Sequence, residues 1–474
     1  MAREETKLGL LGLTAIVIGG VIGGGIFNIP KVLAEGAALG AILISWVISG
    51  LGILGIALTF KMLNASRPDL SGGIYRYTRT GFGNFAGFTI AWGYWIGTAL
   101  GNVVFSVMLN DAFGLFFPVL LEHGKATLIF ASCCTWFFAL LVALGLKLAA
   151  AINTISTIIK FSSLTLLVIL LLCYADYGML EWNFWGKGSH LGSLFQQVNS
   201  TLLTTLFFFM GVEGAIVVGA RARRPQDIGK ATVIGYLICL FLNVLVCVLA
   251  FGFVSRDAMV HLNDPALAQI AGKGIGEWAR IFVNISVIIA VAGAWLVSTI
   301  IAAELPAGAA RDGIFPRVFA RVDKRGTPLT AIGVTSVFIQ VFLFVVILAH
   351  NVYVFSVDIS GIMVLPTYVL SGLFLVKAGL KKHIYASRPG ARQAAVVTGI
   401  LTVFYCLWIM GAGNLRLLFL SFGMYLIGIF FYRWAFRQHA LAEKRPFQLT
   451  DRYVIVCMAV AWIFGIWWEW KGIG

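Results

Sequence analysis

Apolar runs long enough to cross a bilayer recur along the whole chain, and glycine clusters break two of them. At about 20 residues per crossing, roughly thirteen candidate spans can be counted. They lie near 8–35, 38–63, 83–118, 126–147, 149–175, 195–221, 229–255, 277–309, 328–349, 352–376, 393–412, 414–436 and 452–470. The first break is Gly19-Gly20-Val21-Ile22-Gly23-Gly24-Gly25-Ile26-Phe27, and the second is Met210-Gly211-Val212-Glu213-Gly214. A helix deep in lipid must satisfy its own backbone hydrogen bonds. Breaks at that depth cost stability unless the freed N–H and C=O groups have another use. In secondary transporters that use is to bind a substrate near the midplane. The two breaks therefore predict a transport site, and the second one brings a carboxylate, Glu213.

Composition supports an all-α polytopic membrane protein with one membrane domain over 1–470. The chain is 60% hydrophobic and 12% charged, against about 25% charged in a soluble domain. Its net charge of +15 does not point to nucleic acid, because the basic residues sit in short loops between apolar runs. The seven cysteines form no C-x-x-C pair, so neither a metal site nor a disulfide framework is expected, and no cofactor is implied. The first apolar run is too long for a cleavable signal peptide and lacks a small-residue cleavage site. The six histidines fall in loops or at span ends, which argues against a histidine proton relay. There is no P-loop, H-E-x-x-H or G-x-S-x-G motif, so ATP-driven transport and familiar hydrolytic enzymes lack support. No loop exceeds about 25 residues, too short for an attached signalling domain, which disfavours a non-transporting sensor. A channel would need a continuous polar face, and none is evident.

Lysine and arginine set the orientation. Arg3 and Lys7 precede span 1, and Lys61, Arg67, Arg76 and Arg79 follow span 2. Comparable clusters follow spans 6, 8, 10 and 12, whereas the alternate loops hold few basic residues. The positive-inside rule then predicts a cytoplasmic N-terminus, in a bacterial cytoplasmic (inner) membrane. The breaks fall in spans 1 and 6, so each opens a block of five spans. An odd block length inverts the second block in the membrane, the signature of a 5+5 inverted repeat. The first repeat would cover 8–175 and the second 195–380, with 393–470 as peripheral helices.

Several residues in these spans are able to carry chemistry. In span 1 the second half-helix, near Gly25 and Ile26, presents N–H groups and a positive dipole end suited to a carboxylate. The carbonyls near Val21 and Ile22 suit an ammonium, and an α-amino acid carries both groups. The alternative is close helix packing through small residues, but the glycines are contiguous rather than striped. Glu213 is an intramembrane acid, which marks function by default: it can exchange a proton, contact a cationic substrate, gate a helix or merely cap the broken helix. Lys160 lies about eleven residues into span 5, about 16 Å by helical rise, too deep for easy snorkelling. It would supply a positive charge near the first break. Trp295, flanked by Gly293 and Ala294, offers a face for a cation or simple packing. Thr98 and Asn102 share a helix face with Tyr94 and serve either a ligand or a neighbouring helix. Glu304 and Asp358 are further acids in or near the membrane, and Glu304 has Arg311 as an alternative partner.

Several stretches resemble the amino acid–polyamine–organocation superfamily, in particular its basic amino acid/polyamine antiporter branch. They are Gly23-Gly24-Gly25-Ile26-Phe27 with Pro30, Ser71-Gly72-Gly73-Ile74-Tyr75-Arg76-Tyr77, Gly81-Phe82-Gly83, Gly87-Phe88, Tyr94-Trp95, Asn102, Gly211-Val212-Glu213 and Arg311-Asp312-Gly313-Ile314-Phe315-Pro316. The resemblance runs over spans 1 to 12 and implies a leucine-transporter-type fold. It implies that Gly24 and Gly25 meet a substrate carboxylate and Ile22 an amino group, with Gly23 beside them in the substrate-binding site. Thr98, Asn102, Phe207, Met210 and Trp295 would line the side-chain pocket. Glu213 would be a coupling or gating carboxylate, with Lys160 also coupling and Tyr94 and Trp295 as gates. In the arginine/agmatine antiporters the Gly24 position is usually Ser and the Phe207 position Trp. The stretch around Lys160 resembles proton-coupled and facilitative carriers, and the span after 450 resembles arginine/ornithine exchangers. The expected activity is exchange of an amino acid, cationic in the first reading, for another amino acid or its decarboxylated amine. Proton-coupled uptake of a neutral or aromatic amino acid is the alternative. Expected partners are these substrates, protons and membrane lipid, with a homodimer as the candidate assembly and no nucleic acid.

Overall fold

The computed structural model describes residues 8–70, 73–122, 124–181, 183–187, 190–219, 222–346, 352–381, 389–413, 415–439 and 446–472. In chain order the helices are α1 (Leu10–Val21), α2 (Ile29–Gly36), α3 (Leu39–Ser66), α4 (Ile74–Phe82), α5 (Asn84–Gly114), α6 (Lys125–Ala143), α7 (Leu146–Tyr174), α8 (Leu194–Phe207) and α9 (Gly214–Val217). They continue with α10 (Pro225–Ala250), α11 (Arg256–Val260), α12 (Ala266–Gly274), α13 (Glu277–Arg311), α14 (Leu329–Val346), α15 (Val352–Leu380), α16 (Pro389–Ala412), α17 (Leu415–His439) and α18 (Leu449–Gly472). Among the described residues ten helices are long and apolar enough to cross a membrane, and Leu10–Val21 and Leu329–Phe344 are shorter apolar helices. This is an integral membrane protein built from helices. The last predicted span, 452–470, falls within α18. The end of the ninth, 347–349, lies outside the described residues.

Both predicted breaks are present. Span 1 divides into α1, a 3₁₀ turn over Gly24–Phe27, and α2. Ile22 and Gly23 leave helical geometry, with Gly23 extended. Glycine is the poorest helix former after proline, and five glycines within seven residues remove the local preference that would bridge the gap. Helix resumes at α2 with Pro30 in its first turn, where the missing N–H costs nothing. Span 6 divides into α8 and the single turn α9, joined through turns over 208–213. The two breaks touch. Gly211 has φ +105°, and a Cβ there would lie 3.0 Å from the carbonyl carbon of Gly20. A side chain at 211 would therefore meet both strained backbone and a facing main chain.

The surrounding helices hold this crossing in place. α5 packs against α13 and α15, α13 also packs against α7, and α10 packs against α1 and α3. α13 runs through Pro306 without ending. A single parallel bridge pairs Leu8 with Ala222, and the Arg223 N–H donates to the Leu8 carbonyl at 2.7 Å, so the start of α1 is tied to the segment after α9. At the same end of the molecule Asp312 gathers α4. Arg76 donates to it through Nε at 2.6 Å, the Tyr75 hydroxyl donates at 2.8 Å, and Arg79 donates to its carbonyl at 2.7 Å. Burial, then the Asp312 charge, pushes the Tyr75 hydroxyl well above its ordinary range, so it stays a donor.

Candidate functional site

A cavity opens where the breaks meet. Its wall combines Gly20, Val21, Gly23 and Gly25 from the first break with Met210, Gly211 and Glu213 from the second. α5 contributes Tyr94, Thr98, Gly101, Phe105 and Met108, and α13 contributes Ala294, Val297, Ser298 and Ile301. Phe207 and Phe208 complete it, around about 670 Å³ of empty space including its mouth. The α5 contribution follows helical spacing (94, 98, 101, 105, 108), one stripe along the helix.

Glu213 is fully buried, and all of its described bonds are inside the protein. Oε1 accepts from the Tyr94 hydroxyl at 2.5 Å and from the Gly211 N–H at 3.3 Å, while Oε2 accepts from the Tyr368 hydroxyl at 2.9 Å. The acid thus clamps the second break to α5 on one side and α15 on the other. A buried carboxylate needs such donors to offset its lost hydration. Lys160 is 1% exposed, and its Nζ donates to the Gly19 carbonyl at 2.8 Å. It reaches the last turn of α1 from α7, just behind the first break. Glycines allow this approach: a Cβ on Gly19 would crowd Asn153 at 2.8 Å and Thr157 at 3.1 Å, and one on Gly293 would strike the Ser156 hydroxyl.

The sequence-predicted residues divide into two groups. Gly23, Gly25, Tyr94, Thr98, Phe207, Met210 and Glu213 stand together on the cavity wall. Ile22, Gly24, Asn102 and Trp295 do not. Gly24 is covered by the side chains of Val291 and Met108, which a Cβ there would strike. Trp295 is buried against Phe138, ring centroids 4.9 Å apart. Asn102 is fully buried, and neither atom of its amide has a hydrogen-bond partner among the described residues. It stands four residues after Thr98 and three before Phe105, at the edge of the lining stripe rather than on it. Glu304 meets Arg311 at 3.5 Å, the alternative partner expected for it. Asp358 is partly buried on α15 and makes no ion pair among the described residues. Sequence reasoning missed Tyr368, which carries no local signal, and also Phe105 and Met108, which extend the Tyr94–Thr98 face by simple periodicity.

A cavity inside a membrane helix bundle, with main chain of two interrupted helices on its wall, is the arrangement of a membrane transporter. Residues 8–432 match the family model for amino acid permeases. The chain belongs to the amino acid permease family. It is 38% identical over 438 residues to an arginine/agmatine antiporter of Chlamydia felis, covering 91% of this chain and 90% of that protein. Over 439 residues it is 37% identical to an arginine/agmatine antiporter of Chlamydia pneumoniae, with the same coverage. A putative amino-acid transporter of Clostridium perfringens is 35% identical over 474 residues, 98% of both chains.

Proposed function

We propose that this protein exchanges an amino acid for another amino acid or its decarboxylated amine by alternating access, in a bacterial cytoplasmic membrane with its N-terminus inside. The carrying observation is the cavity wall, where two helix breaks offer main chain to one small space. The backbone around Gly23 and Gly25 would receive the carboxylate, and the carbonyl at Val21 the ammonium. The substrate side chain would lie among Thr98, Phe105, Phe207 and Met210. Residues 8–175 and 195–380 would act as inverted halves around this point. A cationic substrate is the first reading, supported by the names of the relatives and by the Phe105 and Phe207 rings, whose faces attract cations. Proton-coupled uptake of a neutral or aromatic amino acid is the second reading. It is favoured by one observation: the carboxylate on the wall already accepts three hydrogen bonds from the protein.

A thermal-shift series separates the two readings. A ligand at about 100 times its Kd adds about 2.7 kcal/mol to the state it binds. Arginine, lysine, ornithine and their amines are expected to raise the melting temperature, and tyrosine and phenylalanine are not. In proteoliposomes, release of preloaded labelled substrate should require external substrate; release that ignores it would refute exchange. For Lys160→Ala the expected outcome is a turnover at least tenfold lower, with a smaller effect on thermal stability. Wild-type turnover in that variant would make the lysine a packing residue.

A further inference from the structure

Helix α4 is nine residues long and sorts its side chains by face. Ile74, Tyr75, Tyr77, Thr78 and Gly81 are buried. Arg76, Arg79 and Thr80, with Gly83 just beyond the helix end, recur at steps of three and four residues and so share the other face. That face lines a second cavity, about 960 Å³ of empty space including its mouth, together with Asp69 and Asp312.

The charges on this wall are unevenly matched. Asp69 accepts from Arg67, through Nε at 2.9 Å and Nη2 at 2.6 Å. Asp312 accepts from Arg76, through Nε at 2.6 Å and Nη2 at 2.9 Å, and from the Tyr75 hydroxyl. Each carboxylate thus has an arginine of its own. Arg79 makes no ion pair among the described residues. Its described bonds go to neutral acceptors: Nε donates to Asn84 Oδ1 at 2.7 Å and Nη1 to the Asp312 main-chain carbonyl at 2.7 Å. Those two bonds fix the plane of the guanidinium without cancelling its charge, and Nη2 carries no described bond. Gly87 makes room for this placement, since a Cβ there would come within 2.6 Å of the Arg79 Cβ. The first turn of α5 also begins on this wall, at Asn84, where the helix dipole is positive.

A held guanidinium with an open nitrogen suits a phosphate oxygen, because its planar fork matches phosphate geometry. The setting is that of a membrane interface. Phe82, on the same helix, is 39% exposed, so apolar surface adjoins the cationic face, as on helices that lie in the interface. We propose that this cavity is a phosphate site filled by the headgroup of a phospholipid, with Arg79 Nη2 and the Thr80 hydroxyl as its donors. Basic pockets at the cytoplasmic ends of membrane helices take anionic headgroups in this way. The choice of leaflet rests on the orientation proposed above. The site itself and its test do not depend on orientation or on exchange.

Native mass spectrometry of the delipidated full-length protein tests the site, with phosphatidylglycerol titrated against a neutral glycolipid of the same acyl chains. Phosphatidylglycerol is expected to bind about tenfold more tightly, the worth of one charge-assisted hydrogen bond. Arg79→Gln should remove that preference. So should Thr80→Glu, which puts a negative charge at an exposed position of the mouth. Arg321→Gln, an exposed arginine beyond Asp312 and off the cavity wall, should keep it. Inorganic phosphate as competitor separates the sources. Displacement of the lipid means that the phosphate group alone is read, and no displacement means that the site reads the phosphate together with the rest of the lipid. Binding of inorganic phosphate with no preference between the lipids would assign the site to the free ion and overturn the lipid. Equal binding of the two lipids without phosphate binding, or a loss in Arg321→Gln equal to that in Arg79→Gln, would overturn the site. If Arg79→Gln does not fold, Thr80→Glu decides: an unchanged preference in that variant also overturns it.

Discussion

Gly211→Ala is expected to abolish exchange and to lower stability by about 3 kcal/mol, the upper end of the cost of holding a side chain in left-handed backbone. At φ +105° a Cβ would lie 3.0 Å from the Gly20 carbonyl carbon and 3.2 Å from its Cα. Main chain cannot swing aside as a flexible side chain does, so relief comes only from parting the two breaks. The control is built in: a Cβ at Gly20 would meet Gly211 Cα at 3.4 Å, an ordinary contact inside helix α1, and Gly20→Ala should retain most activity. Counterflow assays and thermal unfolding of the two variants check this. Equal activity in both would mean that the close crossing is not needed for transport.

The second large effect is expected at Glu213. Glu213→Gln keeps the volume and one carbonyl acceptor but puts an amide N–H₂ opposite one tyrosine hydroxyl. Exchange should drop by one to two orders of magnitude, and its dependence on pH between about 5 and 8 should flatten, as expected when a proton-exchanging group is replaced. Glu213→Ala should in addition unfold more easily, because the Tyr94 and Tyr368 hydroxyls lose a buried acceptor at about 1–3 kcal/mol each. Rates measured in proteoliposomes across that pH range decide the matter; an unaltered profile in the Gln variant would leave Glu213 as a structural clamp.

The sequence made the helices and their interruptions readable because lipid admits few alternatives: a long apolar run must be a helix, and a contiguous glycine cluster must break it. Glu213 and Lys160 stood out for the same reason, since charge at that depth needs a partner. The partners themselves were not readable. Tyr368 lies on α15, 155 positions from Glu213, and nothing near it in the chain marks it. The facing of Trp295 was equally hidden, because a one-residue step turns a helical side chain by about 100° and only packing against Phe138 decides which way it points. Asn102 repeats the four-residue step from Tyr94 to Thr98, so spacing alone did not show that it stays off the cavity wall. The salt bridge between Lys31 and Asp264 joins segments more than 200 residues apart, and pairing at that range leaves no local pattern.

The bridge between Leu8 and Ala222 gives the molecule a hinge arrangement with two pins. One pin is the Gly20–Gly211 crossing at the centre, and the other is the Arg223 N–H on the Leu8 carbonyl at the rim. Two rods pinned at two points cannot scissor; they can only swing as a pair. A push delivered to the first residues of α1 would therefore be felt at once by α9 and the carboxylate beside it, without passing through the substrate.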